Sequence, residues 1–333
     1  MNDPLQPSRL FRALCAMTSV AWWALVAFWL ALALAWGALH GWIVPRIGEW
    51  RPELEAQASR ALGIAVRVGA VTARSDALMP SLELRDVVLQ GAGQREALRL
   101  ARVVVALSPR SLWNLGFEQL YIEGPEIDVR RLADGRLLVA GLDASQGGGD
   151  ARVADWFFRQ KEVLVLGGTV RWTDEMRQAP PLSLSDVQFV VRNGPRSHAL
   201  RLDATPPADW GQRFSLRAVM RQPLLSRHPG RWRDWSGQLY ADLPGVDLAQ
   251  LRQQADLGID LRSGRGVMRA WADVDAGRLA GGAADVALEQ VDAVLAAGRS
   301  PLALASLSGR LSGKWLKEGE GFEFETRGLQ FET

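Results

Sequence analysis

The chain has 333 residues, enough for roughly two domains and a sizeable core. Lys and Arg number 39 against 37 Asp and Glu, a formal net charge of +2 with both signs interspersed, which argues against a nucleic-acid partner. The single cysteine, Cys15, excludes a disulfide framework or a cysteine metal site within one chain.

No charged residue occurs between Arg12 and Arg46, and residues 19–44 form an apolar run longer than the roughly 20 residues that span a bilayer. A cleaved signal peptide has an apolar stretch of only about 7–15 residues, so residues 1–45 read as a cytoplasmic tail and an uncleaved transmembrane anchor. The anchor residues are Trp22, Trp23, Leu25, Val26, Phe28, Leu30, Leu32, Leu34, Trp36 and Trp42. Trp22, Trp23 and Trp42 lie towards the ends of the span, where indole rings favour the headgroup level. Arg9 and Arg12 precede the span with little acid nearby, whereas Arg46 is followed by Glu49, Glu53 and Glu55. The positive-inside rule then predicts a cytoplasmic N-terminus, with everything after Val44 outside.

Next comes a short helix, "RPELEAQASRALG": Pro52 suits the first turn, Glu53 and Glu55 favour the positive end of the dipole, and Gly63 ends it. From Ile64 the period changes from helical to alternating. Strand segments such as "AVRVGAVTAR", "SLELRDVVLQ" and "ALRLARVVVAL" are separated by Gly, Pro and Asp-Gly, with Asp134-Gly135 the best hairpin turn. A helical interlude, "SPRSLWNLG", interrupts them. A flexible "SQGGGD" and a helix, "ARVADWFFRQ", form a linker over residues 146–161, dividing a first part, 46–145, from a second, 162–333. The second part is strand after strand, with one more helix at "VDLAQLRQQADLG". Antiparallel strands with rare helices exclude a doubly wound or parallel-barrel enzyme.

One phrase is written twice: "LELRDVVL" at residues 82–89 and "LSLSDVQF" at 182–189. Its apolar positions, Leu82, Leu84, Val87, Leu89 and Leu182, Leu184, Val187, Phe189, would change face halfway along a regular strand. A β-bulge at the Asp restores one face. The same spacing recurs at Leu98, Leu100, Val103, Val105 and at Leu115, Phe117, Leu120, Ile122, and its opening half at Leu302, Leu304, Leu307. The chain copies a strand, not a domain. The apolar face of so many strands has to be covered, and helices after Lys161 are too few. Two architectures remain open: a sandwich or barrel that packs on itself, or a strongly coiled open trough that holds acyl chains.

The run from "WRPELEAQASRALGIAVRVG" through "LELRDVVLQ" and "GPEIDVRRLADGR" to "ADWFFRQKEVLVLGGTVRW" resembles the N-terminal part of the AsmA-like proteins, most closely those of the YhdP type. The likeness covers most of residues 20–200. It implies an inner-membrane-anchored periplasmic protein of the repeating β-groove kind, related to chorein-type bridges, that carries phospholipids towards the outer membrane. The implied fold is mainly β: a transmembrane helix followed by an elongated, coiled antiparallel groove with a few short helices. Roughly 12–15 strands about 4.8 Å apart give a groove of about 60–70 Å, short for a periplasm, and the chain stops inside the alternating "LQFET". It is therefore expected to be the N-terminal piece of a longer groove, truncated at the C-terminus.

Chemical motifs are absent. His40, His198 and His228 lack metal-ligand spacing and read as surface or interfacial residues, and no G-x-S-x-G, H-E-x-x-H or Walker motif occurs. "GAGQRE" at Gly91 reads as a turn, and no cofactor is expected. The Arg/Trp cluster "RHPGRWRDWSG", residues 227–237, reads as a polar loop with Trp232 and Trp235 tucked into the sheet, or as a site for anionic headgroups or a partner. The combined expectation is a non-enzymatic lipid conduit with phospholipids, the inner membrane and an outer-membrane or periplasmic protein as partners. Its groove is lined by Leu82, Leu84, Val87, Leu89, Val103, Val105, Leu182, Leu184, Val187, Phe189, Leu202, Leu216, Phe322 and Phe324. The alternative is a structural or assembly factor for outer-membrane biogenesis, with a closed β-core.

Overall fold

The computed structural model describes residues 9–38, 47–62, 64–74, 81–90, 96–106, 117–143, 149–226, 228–254, 260–294, 300–315 and 321–333. The expected helix at 108–116, the turn at Gly91, His40 and Trp42 lie outside these residues.

Helix α1 (Arg9–Ala38) starts ten residues before the apolar run, because Leu10, Phe11, Ala13 and Leu14 are good helix formers with no breaker among them. Every described side chain from residue 18 to 34 is exposed. Among the described residues, no helix is long and apolar enough to cross a membrane. The spanning anchor expected from the sequence is thus present as a helix and is not shown as a crossing.

After a 3-10 turn at Ile47–Trp50, helix α2 (Arg51–Leu62) lies along strand β1 (Ala65–Arg74). A sheet edge exposes unpaired backbone groups. Here Val66 N donates to Ser59 Oγ at 2.9 Å, Val68 N donates to Glu55 Oε1 at 2.7 Å, and Arg51 reaches Gly69 O at 3.1 Å. Burial alone pushes the Glu55 carboxyl up, but Val68 N–H and Arg51 together hold it below the usual range. Helix α2 therefore closes the first edge of the sheet through its own side chains.

The strands that follow are β2 (Ser81–Gln90), β3 (Glu96–Ala106), β4 (Gln119–Glu123), β5 (Glu126–Arg131), β6 (Leu137–Val139), β7 (Leu142–Asp143), β8 (Glu162–Asp174), β9 (Leu182–Asn193), β10 (Ser197–Thr205), β11 (Phe214–Arg221), β12 (Ser236–Asp247), β13 (Asp260–Asp275), β14 (Arg278–Val294), β15 (Leu302–Trp315) and β16 (Phe322–Glu332). All belong to one 16-stranded sheet in the order β1-β2-β3-β4-β8-β9-β10-β11-β12-β13-β14-β15-β16, with β5, β6 and β7 off this path. One sheet takes in the strands before residue 146 and those after residue 161, and the crossover between them carries helix α3 (Gly149–Arg159). That crossover makes β8 parallel to β4 and β5, whereas the other neighbours are antiparallel hairpins. Gly124 and Pro125 break one long strand into β4 and β5, since proline has no N–H for the ladder. The expected Asp134-Gly135 turn joins β5 to β6, with Gly135 at φ 83° and Asp134 Oδ1 accepting from Arg136 N at 3.0 Å. A last helix, α4 (Leu248–Gln254), begins two residues inside its sequence pattern, because Val246 and Asp247 belong to β12.

At the repeated phrase the structure corrects one expectation and supports another. Asp86 and Asp186 both take left-handed backbone, with φ 50° and 46°. In the first copy there is no extra residue. Val68 pairs with Val87 and Ala70 with Arg85, then Val87 pairs with Leu100 and Arg85 with Arg102, so the strands stay in step through the kink. The reason lies in the neighbours. Strand β1 carries the spacing too, at Val66, Val68, Val71 and Ala73, and a Cβ on Gly69 would come 2.8 Å from Asp86 Cβ. Three adjacent strands kink at one level, so no register is lost. In the second copy the bulge is real: Gln188 pairs with Asp203 and Ser185 with Thr205, leaving Asp186 and Val187 opposite Ala204. A third copy, Val286, Leu288, Val291 and Ala293 with Gln290 at φ 53°, was not recognised in the sequence because Ala and Gln replace the expected Leu and Asp. Left-handed backbone costs about 1–2 kcal/mol for a residue with a Cβ branch and nothing for glycine. Asp86→Gly is expected to leave thermal stability unchanged or raised, and Asp86→Val to lower it by about that amount.

Candidate functional site

Register places the apolar residues of successive strands side by side. One row runs Val71, Leu84, Val103, Ile122, Val165, Phe189, Leu202, Leu216, Ala241, Ala270, Ala284 and Leu311, from β1 to β15. Two residues away on each strand runs Ala73, Leu82, Val105, Leu120, Val163, Val191, Leu200, Ala218, Leu239, Ala272, Gly282, Gly313 and Phe324. Neither row contains a polar side chain. At about 4.8 Å per strand, the stripe extends on the order of 50–60 Å.

The intervening residues form the opposite face, which mixes charged side chains with exposed apolar ones such as Val219 and Val267. Asp242, Arg269, Asp285 and Arg310 follow one another across β12 to β15, with Arg269 3.4 Å from Asp242 and Arg310 3.5 Å from Asp285. Arg217 lies over the Tyr240 ring and Arg310 over Trp271, 6.0 and 5.0 Å from the ring centroids. Alternation of period two thus gives the sheet one wet face and one dry one.

Protein covers the dry face in two places. Helices α2 and α3 bring Leu54, Leu62, Trp156, Phe157 and Phe158 over a core of Val66, Val68, Val87, Val103, Val105, Val163 and Val191. Helix α4 brings Leu248 and Leu251 over Val246, Val286, Leu288, Val291 and Leu304. Between them, over β9 to β13, lies a cavity of about 420 Å³ lined by Phe189, Leu200, Leu202, Leu216, Ala218 and Leu239 and floored by Ala241, Ala270 and Ala272. Leu216 and Leu239 remain 37% and 40% exposed. No opposing layer of the described residues packs on them.

The expected lining residues divide accordingly. Phe189, Leu202 and Leu216 face the open cavity. Val87, Val103 and Val105 are buried under α2 and α3, with Leu84 and Leu89 packed against them, while Leu82 is half-buried at the margin of that region. Leu182 and Leu184 are half-buried and Val187 is buried. Phe324 is 61% exposed on the last strand, and the side chain of Phe322 lies outside the described residues. Leu200, Ala218, Leu239, Ala241, Ala270 and Ala272 were missed. The alternation in "SHALRLDAT" and "SGQLYADL" carried the signal, but alanine was not weighed as lining.

One margin of the cavity ends in a polar cluster. His198 is 1% exposed, which corrects the surface half of its surface or interfacial reading: its row faces α3, and the ring is enclosed by aromatics. It stacks on Trp235 with centroids 4.1 Å apart, meets Phe158 edge-on at 5.4 Å, and shares a 2.7 Å hydrogen bond between Nδ1 and Asn193 Oδ1. Among the described residues, Trp235 Nε1 is buried without a hydrogen-bond partner. Burial pushes the imidazole below its ordinary range of about 6.5, with the Gln222 amide pulling the other way. The unfolded chain then binds the proton more readily, so stability is full at neutral pH and falls as pH drops below about 6.5. The Tm is expected to decline between pH 7.5 and 5.5, and His198→Phe to flatten that decline.

In the Arg/Trp loop Trp235 is tucked in, at 3% exposed, whereas Trp232 is not: it is 46% exposed, with Arg233 5.1 Å over its ring. Among the described residues, no three His, Cys, Asp or Glu side chains gather as metal ligands. No curated protein and no solved structure matches the chain. The family model described as YhdP protein matches residues 1–333, and with its mainly β sheet and continuous dry face the chain belongs to the YhdP family.

Proposed function

We propose that this protein is a membrane-tethered lipid carrier whose dry sheet face takes the acyl chains of phospholipids while their headgroups stay in water. One observation carries the reading: the apolar rows cross the sheet without a polar side chain, and over β9 to β13 no layer of the described residues packs on them, so that Leu216 and Leu239 stay exposed. Bare leucines in a contiguous strip mark a binding surface. Each buried methylene contributes about 0.8 kcal/mol, so a uniform lining offsets what a chain loses on leaving a bilayer without creating a deep local trap. Movement along such a floor needs no covalent chemistry, and we read the protein as a carrier, not an enzyme.

Helix α1 is the tether in this reading. Its exposed residues include Trp22, Trp23, Phe28, Leu30 and Leu34, between 60% and 70% bare, and a helix apolar all round finds its partner in lipid. The arginines before it favour a cytoplasmic N-terminus, with the sheet on the periplasmic side of a bacterial inner membrane and an outer-membrane or periplasmic protein beyond. Membership of the YhdP family supports a role related to lipid transport. A closed-core scaffold has less support, because it needs a second layer over β9 to β13.

The test uses the full chain reconstituted in vesicles that contain a phospholipid with a photoreactive acyl chain. Crosslinked peptides from β10, β11 and β12 are expected by mass spectrometry. Crosslinks confined to α1 would leave a tethered scaffold and remove the carrier.

A further inference from the structure

The segment between β11 and β12 presents the most exposed large apolar side chain among the described residues, Leu225 at 94%, beside Leu224 at 77%. Exposure of this kind in a floppy loop would mean little, but this loop is fastened at several points. Ser226 N donates to Pro223 O at 3.1 Å, Gly230 N to Asp155 Oδ1 at 2.7 Å, and Gly277 N to Trp235 O at 2.9 Å. His228 Nδ1 lies 2.9 Å from Asp155 Oδ2, and Trp235 is locked into the aromatic cluster. A Cβ on Gly230 would come 2.5 Å from Asp155 N, so the loop and α3 fit closely. The two leucines are held out in water by a rigid support.

Their surroundings are cationic. Arg196, Arg221, Arg231 and Arg233 are all exposed, and none forms an ion pair among the described residues. The nearby carboxylates are Asp155, engaged by His228 and Gly230, Asp234, and Asp275, which accepts from Ser236 Oγ at 2.8 Å. Half-exposed Trp232 completes the set: an apolar tip, an indole, and a collar of unpaired guanidinium groups. A protein groove would complement the leucines and leave the collar unmatched. A bilayer with anionic headgroups matches all three at once, taking leucine at the acyl boundary, indole at the headgroup level and arginine against phosphate.

We infer that the loop between β11 and β12 is a second membrane contact, docking the margin of the trough on an anionic phospholipid surface. It rests only in part on the proposed carrier function, since docking needs the tether but not the filled trough. The docked loop would set the open cavity beside the headgroups from which acyl chains enter or to which they return, because Met220 and Gly237, paired at the foot of the loop, sit one row from Ala218 and Leu239.

The experiment takes the full chain with Cys15→Ser and Leu225→Cys, labelled at residue 225 with an environment-sensitive fluorophore. It is reconstituted in vesicles of phosphatidylcholine alone or with phosphatidylglycerol, doped with nitroxide lipid. Expected are a blue shift and nitroxide quenching that require phosphatidylglycerol, and a loss of about fivefold in the docking equilibrium for each of Arg231→Gln and Arg233→Gln. Raised salt should act in the same direction. A probe that stays in water, one that responds equally in both lipid mixtures, or one whose shift depends on protein concentration and not on lipid, as contact with a second copy would give, overturns the inference. Co-flotation of the chain is scored separately, so failure of α1 to insert is distinguished from failure of the loop to dock.

Discussion

Leu216→Glu is expected to reduce acyl-chain photocrosslinking at the trough on the order of 100-fold while the sheet stays folded. The magnitude follows from what a charge costs against hydrocarbon, about 2.5–3.5 kcal/mol at the apolar depth of a membrane. The survival of the fold follows from position. Leu216 is 37% exposed above the cavity, so in the empty protein a carboxylate there keeps its water. Val219→Glu supplies the control, three residues along the same strand on the opposite face and 57% exposed, and should leave crosslinking unchanged. Equal loss in both variants would show that strand β11 has been damaged and not its dry face. Val187 cannot serve this purpose: at 3% exposure a charge there breaks the core whether or not lipid binds.

Trp235→Ala is expected to destabilise the protein by about 3–5 kcal/mol, read as a lowered midpoint of chemical denaturation. The indole is 3% exposed, stacks on His198 and meets Phe158 of α3 at 4.7 Å, so its removal opens a void where helix, loop and sheet converge. The same change should loosen α3 from the sheet and raise proteolytic cleavage around residues 149–159, while cleavage near α4 stays as it was. The two cores are separate clusters, so a wound in one has no direct route to the other. Uniform sensitisation along the chain would contradict that independence.

Much of the architecture could be read from the residues because period-two alternation reports a face without reference to any partner. Strands β8 to β16, the Asp134-Gly135 turn and the three helices after α1 all follow from local rules of this sort. The kinks were legible as kinks, since four apolar positions spaced two, three and two cannot share a face in a regular strand. What the kink does to register was not legible. Asp86 and Asp186 have the same local sequence and nearly the same φ, yet one keeps its neighbours in step and the other produces a bulge, because the first faces strands that kink with it.

The site shows the same division. The sequence alone determined that a long series of strands would carry one dry face, that Phe189, Leu202 and Leu216 belong to it, and that a long apolar helical run, free of charge after Arg12, precedes it. Only the tertiary structure decided which part of that face is open. Val103 and Leu216 are written in the same alternating style, and they differ in exposure because α2 and α3 lie over the first and, among the described residues, no helix lies over the second. Alternation is a property of each strand, whereas cover is supplied by segments distant in the chain, and no local pattern records where those segments come to rest.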